Sequence, residues 1–242
     1  MIALFTDFGV GSHYLGQVKA RLLGEGVTLP IIDLCSDAPV FDPRSSAYLL
    51  ASFLEYLPEY SIVLAVVDPG VGSARRAILA QMDGHWVLAP DNGLLSIALK
   101  RSECVSLQTI LLDLPHRSRT FDGRDYFAPA AARLCQCLPL PGEIMSPEHM
   151  VGYDWPDRSL AIIYIDHYGN AVSGLFGEML SPNQKIVLNG IRINYAETFS
   201  SVNKGTAFWY VNANNLIEIA VNSGSAAEKY ALTIGSPLEI ER

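Results

Sequence analysis

The sequence predicts an α/β protein: an N-terminal α/β domain with a mostly parallel sheet, over residues 1–140, then a C-terminal antiparallel β-barrel domain, over residues 158–242. Three observations predict it. Short apolar runs alternate with amphipathic stretches through the first domain, which is the pattern of strand–helix units. The run Ile62–Val67 is unbroken, apolar and rich in β-branched residues, as suits a strand buried on both faces of a sheet. In the last third, short apolar runs lie between Asn/Gly turns at the spacing of a small barrel or sandwich.

Taken in order, Ile2–Phe5 reads as a buried strand that ends at Thr6 and Asp7. A turn at Gly9–Gly11 leads into an amphipathic helix from about His13 to Leu23, stopped by Gly24 and Gly26. Ile31–Leu34 is a second strand. Pro43 opens a helix to about Tyr56, and Pro58 closes it. After Ile62–Val67, the runs Ile78–Met82 and His85–Leu88 form a hairpin around Asp83-Gly84. Ala89–Leu95 (APDNGLL) turns into a short helix, and Thr109–Leu112 reads as a strand. Thr120–Asp125 (TFDGRD) is a turn before a helix from Phe127 to about Cys137. Leu138–Ser159 carries Pro139, Pro141, Pro147 and Pro156 with little periodicity, and reads as the linker. Beyond it, Leu160–Ile165, Lys185–Leu188, Ile191–Asn194, Ala207–Val211, Leu216–Val221 and Leu238–Ile240 read as short strands.

Composition narrows the function. The chain has 242 residues, 50% hydrophobic and 17% charged, a soluble globular balance. A formal net charge of −8 and no basic cluster argue against a nucleic-acid partner. The start, MIALFTDFG, lacks the charged flank of a signal peptide, and no apolar run reaches the ~18 residues of a membrane helix. Cys35, Cys104, Cys135 and Cys137 are expected to be reduced thiols in a cytoplasm. The C-x-C pair and the scattered histidines (His13, His85, His116, His149 and His167) have poor metal-ligand spacing, so no metal site is expected. A G-x-G-x-x-G reading after the first strand fails at Tyr14, and there is no P-loop and no G-x-S-x-G elbow.

Candidate chemistry gathers at strand ends. Asp68 is the first polar residue after Ile62–Val67. Pro69, Gly70 and Gly72 turn the chain there, and Arg75 and Arg76 follow. Ligands of open α/β sheets bind outside the carboxyl ends of the strands. Asp68 reads equally as a turn cap and Arg75 as a surface charge. Asp7 is either an acceptor for a ribose diol or a turn carboxylate. Arg124 and Asp125 read also as a structural ion pair, Phe199 as barrel core, and Asp166 with Asn170 as an Asx-type turn.

Several stretches together resemble one family. They are TDFG at Thr6–Gly9 with Tyr14-Leu15-Gly16, VVDPGVGSARR at Val66–Arg76, APDNGLL at Ala89–Leu95, TFDGRDYFAPAAA at Thr120–Ala132, IDHYGN at Ile165–Asn170, and FWYVN with IEIAVNSGSAA within Phe208–Ala227. In order and over nearly the whole chain, they look like the SAM hydroxide adenosyltransferases, relatives of the fluorinase and chlorinase. The resemblance implies a homotrimer with sites between the N-domain of one subunit and the C-domain of its neighbour. It implies that S-adenosyl-L-methionine (SAM) and water give adenosine and L-methionine, with SAM as substrate and no cofactor.

It also implies roles. Asp68 and Arg75 match two members of the family's water-activating Asp–Arg–His set, with Asp122 where the family usually has histidine. Asp7 would hold the ribose hydroxyls, and Thr120 and Phe121 would line the ribose and C5′ region, with Tyr14 also binding substrate. Asp166 would bind the methionine ammonium, Asn170 the adenine edge and Phe199 the adenine face. Asn214 would also bind substrate, and Ala226 would offer backbone contacts to adenine. Where the family usually reads N-S-x-G, this chain has Asn212-Ala213-Asn214-Asn215. Asp68 in place of the fluorinase tyrosine, and Gly123 in place of its halide-binding serine, disfavour halogenation. Two neighbouring carboxylates, Asp68 and Asp122, would push one pKa upward. Because the histidine is replaced, a second reading stands beside hydrolysis: a protein that binds SAM or adenosine without turnover.

Overall fold

The computed structural model describes residues 1–103, 105–115 and 118–241. Cys104 and His116 lie outside the described residues. The chain divides into two compact units, Met1–Trp155 and Pro156–Arg242.

The first unit is built on β1 (Ile2–Thr6), α1 (His13–Gly24), β2 (Ile31–Cys35), α2 (Pro43–Leu54), β3 (Ile62–Val66), β4 (Ala77–Met82), β5 (His85–Pro90), α3 (Ser96–Arg101), β6 (Val105–Thr109) and α4 (Ala128–Cys135). Its six-stranded sheet runs β2-β1-β3-β5-β4-β6. The pairings β2–β1, β1–β3 and β3–β5 are parallel, while the β4–β5 hairpin and β6 add the antiparallel edge. Every residue of β1 and β3 is buried, as continuous apolar strands covered on both faces require. One register decides the site. Thr6 of β1 stands opposite Val66 of β3, so the residues just beyond them, Asp7 and Asp68, emerge side by side at the carboxyl ends of adjacent strands.

The helices start where their caps dictate. The Ser12 hydroxyl accepts the Tyr14 N–H at 3.2 Å, and α1 buries Leu15, Val18 and Leu22 at helical spacing. The Asp42 carboxylate accepts the Ser45 N–H at 3.0 Å, with Pro43 in the first turn of α2. The TFDGRD segment is not a plain turn. Gly123–Phe127 forms a π-helical turn that runs straight into α4, a wide-turn device frequent at functional sites.

Two expectations are corrected. The strand expected at Thr109–Leu112 is β6, Val105–Thr109, because its ladder with β4 runs from Ile78↔Thr109 to Met82↔Val105. The partner strand, not the local apolar run, sets the bounds. The proline-rich stretch read as a linker is largely part of this unit. Leu111 N–H donates to Pro141 O, Thr109 N–H to Glu143 O and Met145 N–H to Leu107 O, so residues 141–145 run along β6. Proline is tolerated at such an edge because a missing N–H there breaks no ladder.

The second unit contains β7 (Ser159–Ile165), β8 (Ala171–Phe176), β9 (Lys185–Leu188), β10 (Ile191–Ile193), β11 (Ala207–Val211), β12 (Leu216–Val221), α5 (Ala226–Tyr230) and β13 (Glu239–Glu241). The expected antiparallel pairing is present, but the ladders of the described residues form two sheets, β11-β12-β8-β7 and β10-β9-β13, rather than one closed ring. Strand β8 went unassigned in the sequence because AVSGLF lacks alternation and carries Ser173 and Gly174. Both small residues have a packing reason. A Cβ on Gly174 would lie 2.5 Å from the Ser159 Cβ, and the Ser173 hydroxyl donates to Ile217 O at 2.9 Å. Trp209, Ile217 and Ile219 anchor a core that is closed to solvent. Among the described residues, no helix is long and apolar enough to cross a membrane.

Candidate active site

At the carboxyl ends of β1 and β3 lies a cavity of about 330 Å³. It is lined by Asp7, Tyr14, Asp68, Thr120, Phe121 and Asp122, all proposed from sequence, together with Phe8, Val40, Phe41, Val66, Val71 and Gly123. Rings form one wall: Phe121 meets Phe8 edge-on at 5.8 Å and Tyr14 at 5.1 Å between centroids. Glycine at 123 allows this closeness, since a Cβ there would lie 3.2 Å from the Phe8 ring. Val40 and Phe41 were not foreseen, because the PVFDP turn carries no motif. Phe41 is 73% exposed with φ of 58°, and its N–H donates to Asp7 Oδ2 at 3.0 Å. Burial, partly offset by that bond, raises the pKa of Asp7 above the ordinary carboxylate value.

Behind the cavity Arg75 bridges two carboxylates. Its Nε donates to Asp68 Oδ1 at 2.8 Å and Oδ2 at 2.7 Å, and its Nη2 to Asp68 Oδ2 and, at 2.7 Å, to Asp122 Oδ2. The three side chains are 9%, 4% and 2% exposed for Arg75, Asp68 and Asp122, so solvent screens them little. Burial works against the Arg75 charge. Hydrogen bonds and attraction from Asp68 and Asp122 outweigh it and hold its pKa above the ordinary range. Asp68 and Asp122 thus share one guanidinium. The repulsion expected between the carboxylates from sequence is therefore mediated by an arginine placed between them. Arg75 itself lines a neighbouring cavity with Arg76, Thr109, Tyr126 and Glu143.

The other polar motifs of this unit are structural. Arg76 Nε bonds Asp91 Oδ2 at 2.8 Å, and Asp91 Oδ1 accepts the Val151 N–H at 2.9 Å, tying the APDNGLL turn to the chain before Trp155. Arg124 Nε and Nη2 grip Asp125 at 2.7 and 2.8 Å, and Asp125 accepts the Ser118 N–H at 2.9 Å. That pair holds the segment leading to Asp122. Hydrogen bonding from Arg124 leads the causes that lower the Asp125 pKa.

The second unit has a cavity of about 690 Å³, lined in part by Asp166, Asn170, Phe199 and Asn214 from the sequence reading. Asp166 is both an Asx-type turn and a pocket residue. Its Oδ1 accepts the Tyr168 and Asn170 N–H groups at 2.9 and 2.8 Å, and its Oδ2 accepts the Asn170 amide at 2.9 Å. Phe199 packs edge-on against Phe208 at 5.0 Å and Tyr210 at 5.5 Å, yet stays 38% exposed at the cavity. Ala226, also named from sequence, is fully buried in the core of this unit and is not among the described residues that line this cavity. Glu218 was missed, although a charge within LIEIAV was a visible signal. It accepts the Tyr210 hydroxyl and, at 2.7 Å, the Asn212 amide, and burial raises its pKa. Asn212 Oδ1 in turn accepts the Asn214 and Leu216 N–H groups, each at 3.0 Å, and so shapes the Asn212–Asn215 loop.

Fold and cavity together define a two-unit α/β protein with a charged cavity at the ends of parallel strands, the place where such sheets take their ligands. Comparison with known proteins carries this further. Residues 2–141 match the SAM hydroxide adenosyltransferase N-terminal domain, and residues 160–239 match the corresponding C-terminal domain. The chain belongs to the SAM hydroxide adenosyltransferase family. An (R)-S-adenosyl-L-methionine hydrolase of Thermus thermophilus is 34% identical over 99% of this chain and 98% of that protein. Another of that name, from Salinispora arenicola, is 32% identical over 99% of this chain and 97% of its own. A crystal structure of a conserved protein from Thermotoga maritima superposes with a TM-score of 0.89 at 26% identity, covering both chains in full.

Proposed function

We propose that this protein hydrolyses SAM, in the (R) configuration named for its relatives, to adenosine and L-methionine by attack of water at C5′. The observation that carries the reading is the buried Asp68–Arg75–Asp122 cluster against a cavity also lined by Asp7 and aromatic rings.

The chemistry follows from charge. The sulfonium makes C5′ an electrophile and methionine a neutral leaving group, so no acid is needed there. As water attacks, positive charge moves from sulfur to the water oxygen. A carboxylate beside that oxygen stabilises the transition state more than the ground state, which is the condition for a faster chemical step. Asp68 orients the water in line with the C5′–S bond. Arg75 spends its hydrogen bonds on both carboxylates and acts as a positioning residue. Asp122, in the place of the family's usual histidine, is a second acceptor. Asp7 holds the ribose hydroxyls, and Tyr14, Thr120 and Phe121 surround the ribose. Asp166, Asn170, Phe199 and Asn214 serve adenine and methionine.

A homotrimer is the expected assembly, to be checked by light scattering. The free thiols of Cys35, Cys135 and Cys137 accord with a reducing cytoplasm. The deciding experiment incubates the protein with SAM and separates the products by chromatography. Adenosine and methionine in equal amounts support hydrolysis. Calorimetric binding of SAM without either product would make the protein a nucleoside-binding module instead.

A further inference from the structure

Glu218 is a charge on a strand that is otherwise apolar. Strand β12, LIEIAV, is buried along its whole length, and Glu218 is 5% exposed. A buried carboxylate is costly unless a cation or a set of donors compensates it. Its donors here are neutral: the Tyr210 hydroxyl donates to Oε1 and the Asn212 amide to Oε2. Burial, helped by the bond to Glu218, raises the Tyr210 pKa, so the hydroxyl keeps its proton and the carboxylate is the acceptor. Glu218 lines the cavity of about 690 Å³ with Asp166, whose donors are also neutral: the Tyr168 and Asn170 N–H groups and the Asn170 amide. Among the described residues that line this cavity there is no lysine or arginine. Two carboxylates thus face one ligand-sized space, each held by neutral groups. The positive charge that complements them has to come with the ligand.

We propose that Glu218 is a specificity-determining residue: together with Asp166 it makes the second-unit cavity choose nucleosides whose 5′ arm carries a positive charge over neutral nucleosides of the same shape. The inference rests on the hydrolysis reading, which brings the methionine arm of SAM to this cavity. That arm carries two positive charges, the sulfonium and the ammonium, against one carboxylate. The products carry no net charge, because adenosine is neutral and methionine is a zwitterion. Carboxylates that favour the substrate therefore give the products no such advantage, and the adenosine that is made competes weakly with the next SAM. The place of Glu218 suits this task. Its partner Tyr210 packs against Phe199 at 5.5 Å, and its partner Asn212 shapes the loop that carries Asn214. One buried charge is thereby fixed to both the ring wall and the amide loop.

The test is calorimetry with two adenosine 5′-thioethers, one with an aminopropyl arm and one with a hydroxypropyl arm. They match in shape, differ by one positive charge, and lack the sulfonium that hydrolysis needs. At neutral pH the parent is expected to bind the aminopropyl compound at least about tenfold more tightly, the scale set by unit charges a few ångströms apart at an effective dielectric of about 20. Glu218→Gln keeps the shape, since its oxygen accepts from Asn212 and its NH₂ donates to the Tyr210 oxygen. It is expected to cut the preference at least about threefold, Asp166 keeping a share, while affinity for the hydroxypropyl compound moves less than about threefold. If Glu218→Gln does not fold, Glu218→Leu with Tyr210→Phe removes the charge together with its hydroxyl partner, and the same loss of preference is expected. Binding of neither compound by the parent, or equal binding of both, overturns the proposal. So does a preference that survives the variant, or an equal fall in affinity for both compounds, which leaves Glu218 a structural role only. If the parent releases no adenosine from SAM, the hydrolysis reading itself fails; a parent that hydrolyses SAM but binds both thioethers alike overturns this inference alone.

Discussion

Asp68→Asn gives the sharpest test of the charged cluster, because it keeps the shape of the side chain and removes its charge. In the structure the Asp68 oxygens accept from Arg75 Nε at 2.8 and 2.7 Å and from Nη2 as well. An asparagine presents one oxygen and one NH₂, and the NH₂ meets a donor, so about one charge-assisted bond is lost. For a cluster this buried that costs about 1.5–3 kcal/mol of stability. The protein is expected to fold still, because Arg75 keeps Asp122 at 2.7 Å. The larger effect is on the reaction. The carboxylate charge of Asp68 beside the attacking water disappears, and removal of one preorganised electrostatic group lowers kcat on the order of 10²–10³-fold. KM is expected to rise less, since Asp7 and the ring wall are untouched. The assay is steady-state adenosine release followed by chromatography, with a thermal melt of the same sample. A folded Asp68→Asn variant that turns SAM over within about threefold of the parent would refute the assignment.

Other outcomes follow from the same geometry. Gly72→Ala forces a Cβ to 2.5 Å from the Arg119 carbonyl at a positive φ, so a loss of about 1–3 kcal/mol and a matching fall in activity are expected; an unchanged melting temperature contradicts the close approach. Glu218→Ala leaves the Asn212 amide and the Tyr210 hydroxyl without their buried acceptor, at a cost of about 1–3 kcal/mol. Adenosine affinity measured by calorimetry should weaken with it, and unaltered affinity counts against any role of the Asn212–Asn215 loop in binding. His85 has its pKa lowered, chiefly by burial, below the unfolded value of about 6.5. The unfolded chain therefore takes up its proton first, and stability falls as pH drops below about 6.5 toward the folded pKa. Melts at pH 7.5 and 5.5 should show this slope, and His85→Gln should flatten it; an equally steep slope in the variant removes His85 as the cause. Burial raises the pKa of Glu218, so its contribution has the opposite sign. It favours the folded state at acid pH and is lost as pH rises through its folded pKa.

Much of the site was readable before any coordinates. Asp7 and Asp68 stand out because each is the first charge after a continuous apolar strand, and such a strand in a parallel sheet ends at the face where ligands bind. The repeated chemistry of TDFG, DPGVGSARR and TFDGRD pointed to one family. What the residues could not disclose was who touches whom. Arg124 and Asp125 look as catalytic as Arg75 and Asp122, yet the first pair braces a loop and the second closes the cluster. Phe41 and Glu218 have no signature beyond an exposed aromatic in a turn and a charge in an apolar strand. Strand β8 was hidden because its small residues answer to neighbours distant in sequence.

Local pattern alone determined the alternation of elements, the strand ends and the identities of the ionisable groups, because periodicity and turn chemistry act over a few residues. Tertiary structure alone decided three things: the register that sets Asp7 beside Asp68, the seat of Arg75 between two carboxylates, and the run of residues 141–145 along β6. Each depends on segments far apart in the chain. Asp68 and Asp122 meet the same guanidinium only because the sheet and the π-helical turn bring their loops together, and no stretch of sequence contains that distance.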